Sequence, residues 1–336
     1  MNIAFLINQT HKEDVNFTTT LLAYKAHLRG HRILYIGLAD FAYHGENTVG
    51  AHCRIVEPDD NINNEKHLLE ILRKKEKQFV DAKGMDILWI RYDPVLDMIN
   101  RPWASPTALQ FAQLIKRQGT WVINDPDKLV EATNKLYLEY FPRNIRAKTL
   151  ITRNYEDVVS FLDQQEDQII LKPLKGSGGK NVFLVKKDER HNLKQTVEVI
   201  SRDGYVLAQE YLPAATKGDI RFFLLDGEPL LVGGKYASVN RVQQKGDIRS
   251  NIHQGGTAKE AMIDEQILST VRQVSSKLKD DGMYFVGLDI VGDKIMEINV
   301  FSPGALLHAS ELNGVDYTTA ILKDLEKQST LRKRKM

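Results

Sequence analysis

The stretch Gly287-Leu288-Asp289-Ile290, followed by Met296-Glu297-Ile298-Asn299-Val300-Phe301-Ser302-Pro303-Gly304, decides how the chain is read. It places an acid near the end of one apolar strand, then an acid and an amide two residues apart on the next. Strand residues i and i+2 share a face. Glu297 and Asn299 therefore point the same way, and a turn at Gly292-Asp293 brings Asp289 alongside. Two carboxylates and a carboxamide, with no His or Cys nearby, suit a hard cation such as Mg2+ held between protein and phosphate. An edge hairpin with solvated acids is the bland alternative. The apolar residues Phe285, Val286, Leu288, Ile290, Ile295, Ile298 and Val300 argue against it, since they leave little surface to expose.

Upstream, Ile169-Ile170-Leu171-Lys172-Pro173-Leu174-Lys175-Gly176-Ser177-Gly178-Gly179-Lys180-Asn181-Val182 runs an apolar strand into a lysine, a glycine loop and a second strand. Glycines let backbone N–H groups approach phosphate oxygens, and the lysines add charge. The GK[ST] ending of a P-loop is missing, and a strand rather than a helix follows. Alone, such a loop could be a plain hairpin turn. Joined to the acidic hairpin, it points to nucleotide.

In this order of motifs the chain resembles the ATP-grasp superfamily, and within it the bacterial glutathione synthetases. Carrying the resemblance are Asn134-Lys135-Leu136, Leu171-Lys172-Pro173-Leu174, Gln209-Glu210-Tyr211-Leu212-Pro213, Gly218-Asp219-Ile220-Arg221, Arg249-Ser250-Asn251, and the two hairpin segments. It covers residues 1–325. It implies an ATP-grasp fold preceded by a Rossmann-like domain, and an ATP-dependent ligase that joins a carboxylate to an amine through an acylphosphate, most closely γ-glutamylcysteine to glycine. It implies adenine along Gln209, Glu210, Tyr211 and Leu212, ribose at Asp219, and phosphates at Lys135 and Lys172 under the loop Gly176, Ser177, Gly178 and Gly179. Asp289, Glu297 and Asn299 would hold two Mg2+ ions, with Mn2+ a possible substitute. Arg249 would meet the γ-phosphate and oxyanion, Arg221 would support it, and Asn251 would orient. A homo-oligomer acting on small peptides or amino acids is expected. Two departures concern substrate. The family usually reads Asn-Val-Thr-Ser-Pro-Thr where this chain has Phe301 and Gly304, and Arg-Lys-Asp-Pro where it has Arg91-Tyr92-Asp93-Pro94. Ligation of another amino acid or a protein tail, or ATP binding without turnover, are the rival readings.

Length and composition agree. At 336 residues, two or three packed units are expected. Lys+Arg 46 against Asp+Glu 44 offers no global reason to expect nucleic acid or membrane as partner. Cys53 is the only cysteine, which excludes an intrachain disulfide. No apolar run reaches about 18 residues, and Met1-Asn2 leads straight into a strand, so the chain reads as cytoplasmic. The basic run Arg332-Lys333-Arg334-Lys335 reads as a solvated tail.

Residues 1–130 alternate strand and helix signals: strands over 3–7, 32–36, 87–90 and 121–124, helices over 17–29, 65–79 and 109–117. That predicts an α/β unit with a mostly parallel sheet and ligand at the strand ends. Asn16 reads as a helix N-cap within the segment 8–20, and Arg91 as a clamp for a substrate carboxylate. Residues 131–215 read as a smaller α+β unit, with helices over 155–162 and 193–201. Residues 216–330 read as strand-rich, with strands over 221–225 and 230–236. A polar loop over 238–256, containing Arg241, Arg249, Asn251 and His253, reads as an active-site lid. The turn Ser302, Pro303 and Gly304 beside the metal hairpin should, with Arg91, Arg241 and the segment 8–20 that carries Asn16, hold donor and acceptor; His253 and His308 lie near.

Overall fold

The computed structural model describes residues 1–244 and 256–334. β1 (Asn2–Ile7) is apolar from Ile3 onward because both its faces are covered, as a central parallel strand requires. After it come α1 (Thr18–Leu28), β2 (Arg32–Gly37), β3 (Phe41–His44), β4 (Thr48–Val56), α2 (Glu65–Lys74), β5 (Gln78–Asp81), β6 (Ile87–Ile90), α3 (Ala104–Arg117), β7 (Trp121–Ile123) and the short α4 (Pro126–Leu129). The sheet runs β3-β4-β2-β1-β6-β7, with β5 also on β4. Strands β2, β1, β6 and β7 are parallel, as expected.

Three differences have local causes. The helix expected to reach residue 79 stops at Lys74, where Arg54 donates to the carbonyls of Leu72, Arg73 and Lys75 and so caps the helix end. The antiparallel strands β3, β4 and β5 went unmarked because β4 carries the small residues Gly50 and Ala51 where apolar alternation should show. Asn16 is not an N-cap. It is exposed, Phe17 occupies the cap position, and Asp14 organises the loop by accepting from the Asn16 N–H at 2.9 Å and the Thr20 hydroxyl at 2.7 Å.

A second sheet, β10-β9-β11-β8, is antiparallel throughout. It comprises β8 (Thr149–Thr152), β9 (Gln168–Pro173), β10 (Phe183–Lys186) and β11 (Val206–Glu210), with α5 (Tyr155–Gln164) and α6 (Leu193–Ser201) on one face. Alternation divides its residues. Ile169, Leu171, Val206 and Ala208 pack with Val158, Leu162, Val197 and Ile200 of the helices, which leaves Ile170, Lys172 and Gln209 on the open face.

The third sheet comprises β12 (Asp219–Leu225), β13 (Glu228–Pro229), β16 (Ser238–Val242), β17 (Thr257–Lys259), β18 (Phe285–Val291) and β19 (Lys294–Asn299), in the order β17-β16-β12-β18-β19 with β13 on β12. The strand expected over 230–236 is broken into the small hairpin β14 (Leu231–Val232) and β15 (Lys235–Tyr236), because Gly233 and Gly234 both take positive φ. Arg241 belongs to β16 rather than to a lid, while Arg249, Asn251 and His253 lie outside the described residues. α7 (Glu265–Asp280), capped by Asp264, leads into the hairpin, and α8 (Leu306–Asn313) and α9 (Tyr317–Lys333) follow it. The basic run is not a free tail: Arg332 stacks over the Trp121 ring at 4.6 Å and Lys333 pairs with Asp86.

One side chain joins the first sheet to the third. Asn124, buried just after β7, donates to the carbonyls of Phe285 at 3.0 Å and Val300 at 2.5 Å, and accepts from the Phe285 N–H at 2.9 Å. It pins the start of β18 and the exit of β19 to the edge of the first sheet. Asn124→Ala strands three buried backbone groups and should destabilise the protein by about 2–4 kcal/mol. Denaturant unfolding measures this; a loss under about 0.5 kcal/mol would contradict the assigned role.

Candidate active site

Strands β18 and β19 set Asp289 opposite Glu297 and Gly287 opposite Asn299, with a register shift just after Asp289. Such a shift re-aims side chains at the rim of a site. Gly287 is required here, since a Cβ would come within 2.8 Å of the Pro303 ring and 3.0 Å of the Arg221 side chain.

Asp289 lies at the base of a row of charges. Arg221, its neighbour on β12, donates to it twice, at 2.6 and 3.1 Å. Arg241 on β16 reaches it at 2.9 Å and forms a two-point pair with Asp219. Burial alone would raise the Asp289 pKa, but the Arg221 and Arg241 guanidiniums outweigh it and hold the carboxyl well below the usual range. The row Asp219–Arg241–Asp289–Arg221 is neutral in sum.

Above this floor, the open face of the second sheet and the third sheet enclose a cleft of about 250 Å³. Gln209, Glu210, Tyr211 and Leu212 line it with Asp219, and the apolar Ile170, Val291 and Met296 complete its walls. Gly176, Ser177, Gly178 and Gly179 border it, Gly178 and Gly179 at positive φ. Lys172 contacts the Gln209 carboxamide oxygen at 3.0 Å. Lys135 reaches the Gly176 carbonyl at 2.5 Å and Glu297 at 3.2 Å. Desolvation, and then the charge of Lys135, push the Lys172 ammonium down to about 8. A half-buried lysine beside another lysine is a site waiting for an anion.

A second cavity of about 150 Å³ shares Lys135, Ser177, Glu297 and Asn299 with the cleft and adds Asp93, Asn134 and Ser302. Asp93 accepts from the Ser177 hydroxyl, and burial raises its pKa. The Asn299 amide nitrogen is buried without a partner, so the protein does not commit that amide elsewhere. Asp289, Glu297 and Asn299 are thus brought together with oxygen donors only, which fits a hard divalent cation. Two acids and an amide are the whole set; no group of three His, Cys, Asp or Glu suited to a metal occurs among the described residues.

Other expected site residues are placed differently. Arg91 lines neither space. Its Nε donates to the Thr19 hydroxyl at 3.2 Å, its Nη2 to the Pro303 carbonyl at 3.1 Å, and its guanidinium lies over the Phe285 ring at 5.5 Å. Burial pushes its pKa down to about 9. Arg91 thus holds the turn Ser302-Pro303-Gly304 from behind, with its Nη1 buried and without a partner, and Arg221 holds the Gly304 carbonyl at 3.2 Å. Of that turn only Ser302 lines the second cavity. Asn16 is at the surface, and His308 lines neither space, its Nδ1 buried without a partner. The two departures from the family pattern meet each other. Tyr92 is fully buried, bonded to Ser105, with its ring 5.2 Å from that of Phe301. Sequence reasoning missed Asn124 and the Asp93–Ser177 contact, since neither has a local signature.

A nucleotide-sized cleft between two antiparallel sheets, with lysines on one wall and an acidic hairpin on the other, defines an ATP-grasp ligase. The family models for the N-terminal and ATP-grasp domains of prokaryotic glutathione synthetase match residues 1–129 and 134–314. Glutathione synthetases of Escherichia coli (strain K12) and Shewanella oneidensis are 31% and 30% identical to the chain, over 96% and 94% of it and 95% and 93% of themselves. That of Agrobacterium fabrum is 34% identical over 75% of each chain. Among solved structures, D-cycloserine synthetase DcsG superposes with a TM-score of 0.63 at 15% identity, covering 96% of this chain and 100% of its own. D-alanine–D-alanine ligase from Helicobacter pylori gives 0.56 at 13%, covering 97% and 98%. The chain belongs to the prokaryotic glutathione synthetase family.

Two outcomes follow from the burial of these groups. Lys172 has a folded pKa below its unfolded 10.5, so its charge costs stability below about pH 8, and the cost fades as pH rises toward 10.5. Lys172→Met should therefore stabilise the nucleotide-free protein at pH 7 by on the order of 1 kcal/mol after solvent screening, with no gain above pH 10.5. It should also abolish the thermal shift given by ATP; an unchanged ATP shift would remove Lys172 from the site. Tyr92→Lys, which restores the usual family residue, buries a charge and should destabilise by about 3 kcal/mol or more without tightening donor binding. A stable variant with a lower donor KM would show that position 92 faces substrate.

Proposed function

We propose that the chain is a glutathione synthetase, condensing γ-glutamylcysteine with glycine at the expense of ATP. One observation carries the chemistry: Lys172 and Lys135 line a cleft together with Glu297 and Asn299, Lys135 3.2 Å from Glu297, and an adjoining cavity shares Lys135, Glu297 and Asn299 and reaches Ser302. That arrangement suits transfer of a phosphoryl group to a carboxylate.

The donor carboxylate attacks the γ-phosphorus of ATP, releasing ADP and forming an acylphosphate. The glycine amine then adds to the acyl carbon and phosphate leaves, giving the amide. No protein nucleophile is needed; the chain positions groups and offsets charge. We assign the adenine to Gln209, Glu210, Tyr211 and Leu212, the ribose to Asp219, and the phosphates to Lys135, Lys172 and the N–H groups of Gly176, Ser177, Gly178 and Gly179. Arg221 supports the phosphate side while fixing the turn at Gly304. Arg249 for the γ-phosphate and Asn251 for orientation rest on the sequence motif. Asp289, Glu297 and Asn299 would hold Mg2+, which when bound offsets the negative charge of the phosphates. Asp289 enters that role already oriented by two arginines.

A different acceptor or donor remains the second reading, because Phe301 and Ser302 both line the second cavity. A coupled ADP-release assay crossing γ-glutamyl dipeptides and free amino acids with small amines tests both. Turnover with γ-glutamylcysteine and glycine is expected; turnover with free glutamate or a protein tail alone would keep the ligase and discard the glutathione assignment. Glu297→Gln keeps size and removes a hard anionic ligand, so kcat should fall by about 100-fold or more while the fold survives. Near-normal turnover would refute the metal assignment.

A further inference from the structure

A third concavity, of about 270 Å³, shares no lining residue with the nucleotide cleft or the cavity beside it. It sits beyond the carboxyl ends of β1 and β2, where open α/β sheets receive ligands, and Asn8 and Gly37 form part of its wall. Four cations and a histidine reach it from five segments: His11 after β1, Arg54 on β4, Arg73 on α2, Lys77 before β5 and Arg101 before α3. Asp40 is the one carboxylate in the lining, and it is already engaged by Lys77 and the Gly37 N–H. Arg101 pairs with Asp97 at 2.9 Å outside the wall. Arg54 and Arg73 have no ion-pair partner among the described residues. Their guanidiniums donate to backbone carbonyls, Arg54 to the end of α2 and Arg73 to Glu13 at 2.6 Å.

Those carbonyl bonds fix the two arginine forks; the Glu13 carboxyl, which burial pushes up to about 7, also feels the Arg73 charge. Fixed forks with donors to spare match the oxygens of phosphate and carboxylate, and a concave wall concentrates the field of their charge. Surface cations on an ordinary helix face spread apart or alternate with acids; here they converge on one small space. We propose that this concavity is a second ligand site, for a small, multiply charged anion bearing phosphate or carboxylate groups, separate from the ATP cleft. The proposal goes beyond the ligase reading and does not rest on it.

The test is calorimetric titration of the full chain with inorganic phosphate and, separately, with succinate, each with and without a saturating non-hydrolysable ATP analogue. Saturation at one site per chain below about 10 mM is expected for at least one anion, unaffected by the analogue. Phosphate alone would mark a phosphorylated ligand and succinate alone a dicarboxylate. Arg73→Gln and Lys77→Gln should each weaken binding by about tenfold or more, whereas Lys194→Gln, exposed on α6, should not. Thermal midpoints show which variants are folded, and Lys77→Gln carries the test if Arg73→Gln is not. Failure of both anions to saturate, displacement by the analogue, or equal weakening by Lys194→Gln would overturn the proposal.

Discussion

The row of charges Asp219–Arg241–Asp289–Arg221 is the constraint on which the site depends. Buried ion pairs add little net stability when set against apolar packing, because desolvation consumes most of the attraction. What they impose is geometry: a carboxylate held at two points by a planar guanidinium has one orientation. The row crosses β16, β12 and β18 and ends on the Gly304 carbonyl, so three strands and a turn share one register. Because the row is neutral and Lys135 meets Glu297, the unpaired positive character above it belongs to Lys172. That contrast separates a cleft for nucleotide from a merely polar groove.

Much of this was legible in the sequence where short-range periodicity governs. The hairpin strands, the glycine loop and the strand over 87–90 follow from alternation and turn residues, and the motif order identified the family. Contacts between distant segments were not legible. Arg91 stands at a strand end, as a substrate clamp would, yet its partners Thr19 and Pro303 lie far away in sequence and bury it. Tyr92 and Phe301 each looked like a lost substrate contact; only their proximity shows an aromatic pair in which Tyr92 is fully buried and Phe301 also borders the second cavity. Asn124 has no motif, and its importance comes wholly from what it meets.

Two side chains, Arg91 and Asn124, thus anchor opposite ends of one piece of chain. Asn124 fixes the backbone at Phe285 and Val300, and Arg91 fixes it at Pro303. The acidic hairpin is held from the first sheet as well as from its own. An enzyme that must bring a carboxylate to a phosphorus and then an amine to the acyl carbon gains from such support, since small misplacements of reacting atoms lower rates steeply.

The last helix completes the first sheet. Tyr317, Ile321, Leu322 and Leu325 of α9 share a core with Ile3, Phe5, Ile7 and Leu22, and Glu326 closes on Arg29 and His31 at 2.6 and 2.7 Å. During synthesis the ribosome releases β1 and α1 long before α9 exists. One apolar face of the nascent N-terminal unit must then wait, open to solvent and to chaperones, until α9 has emerged.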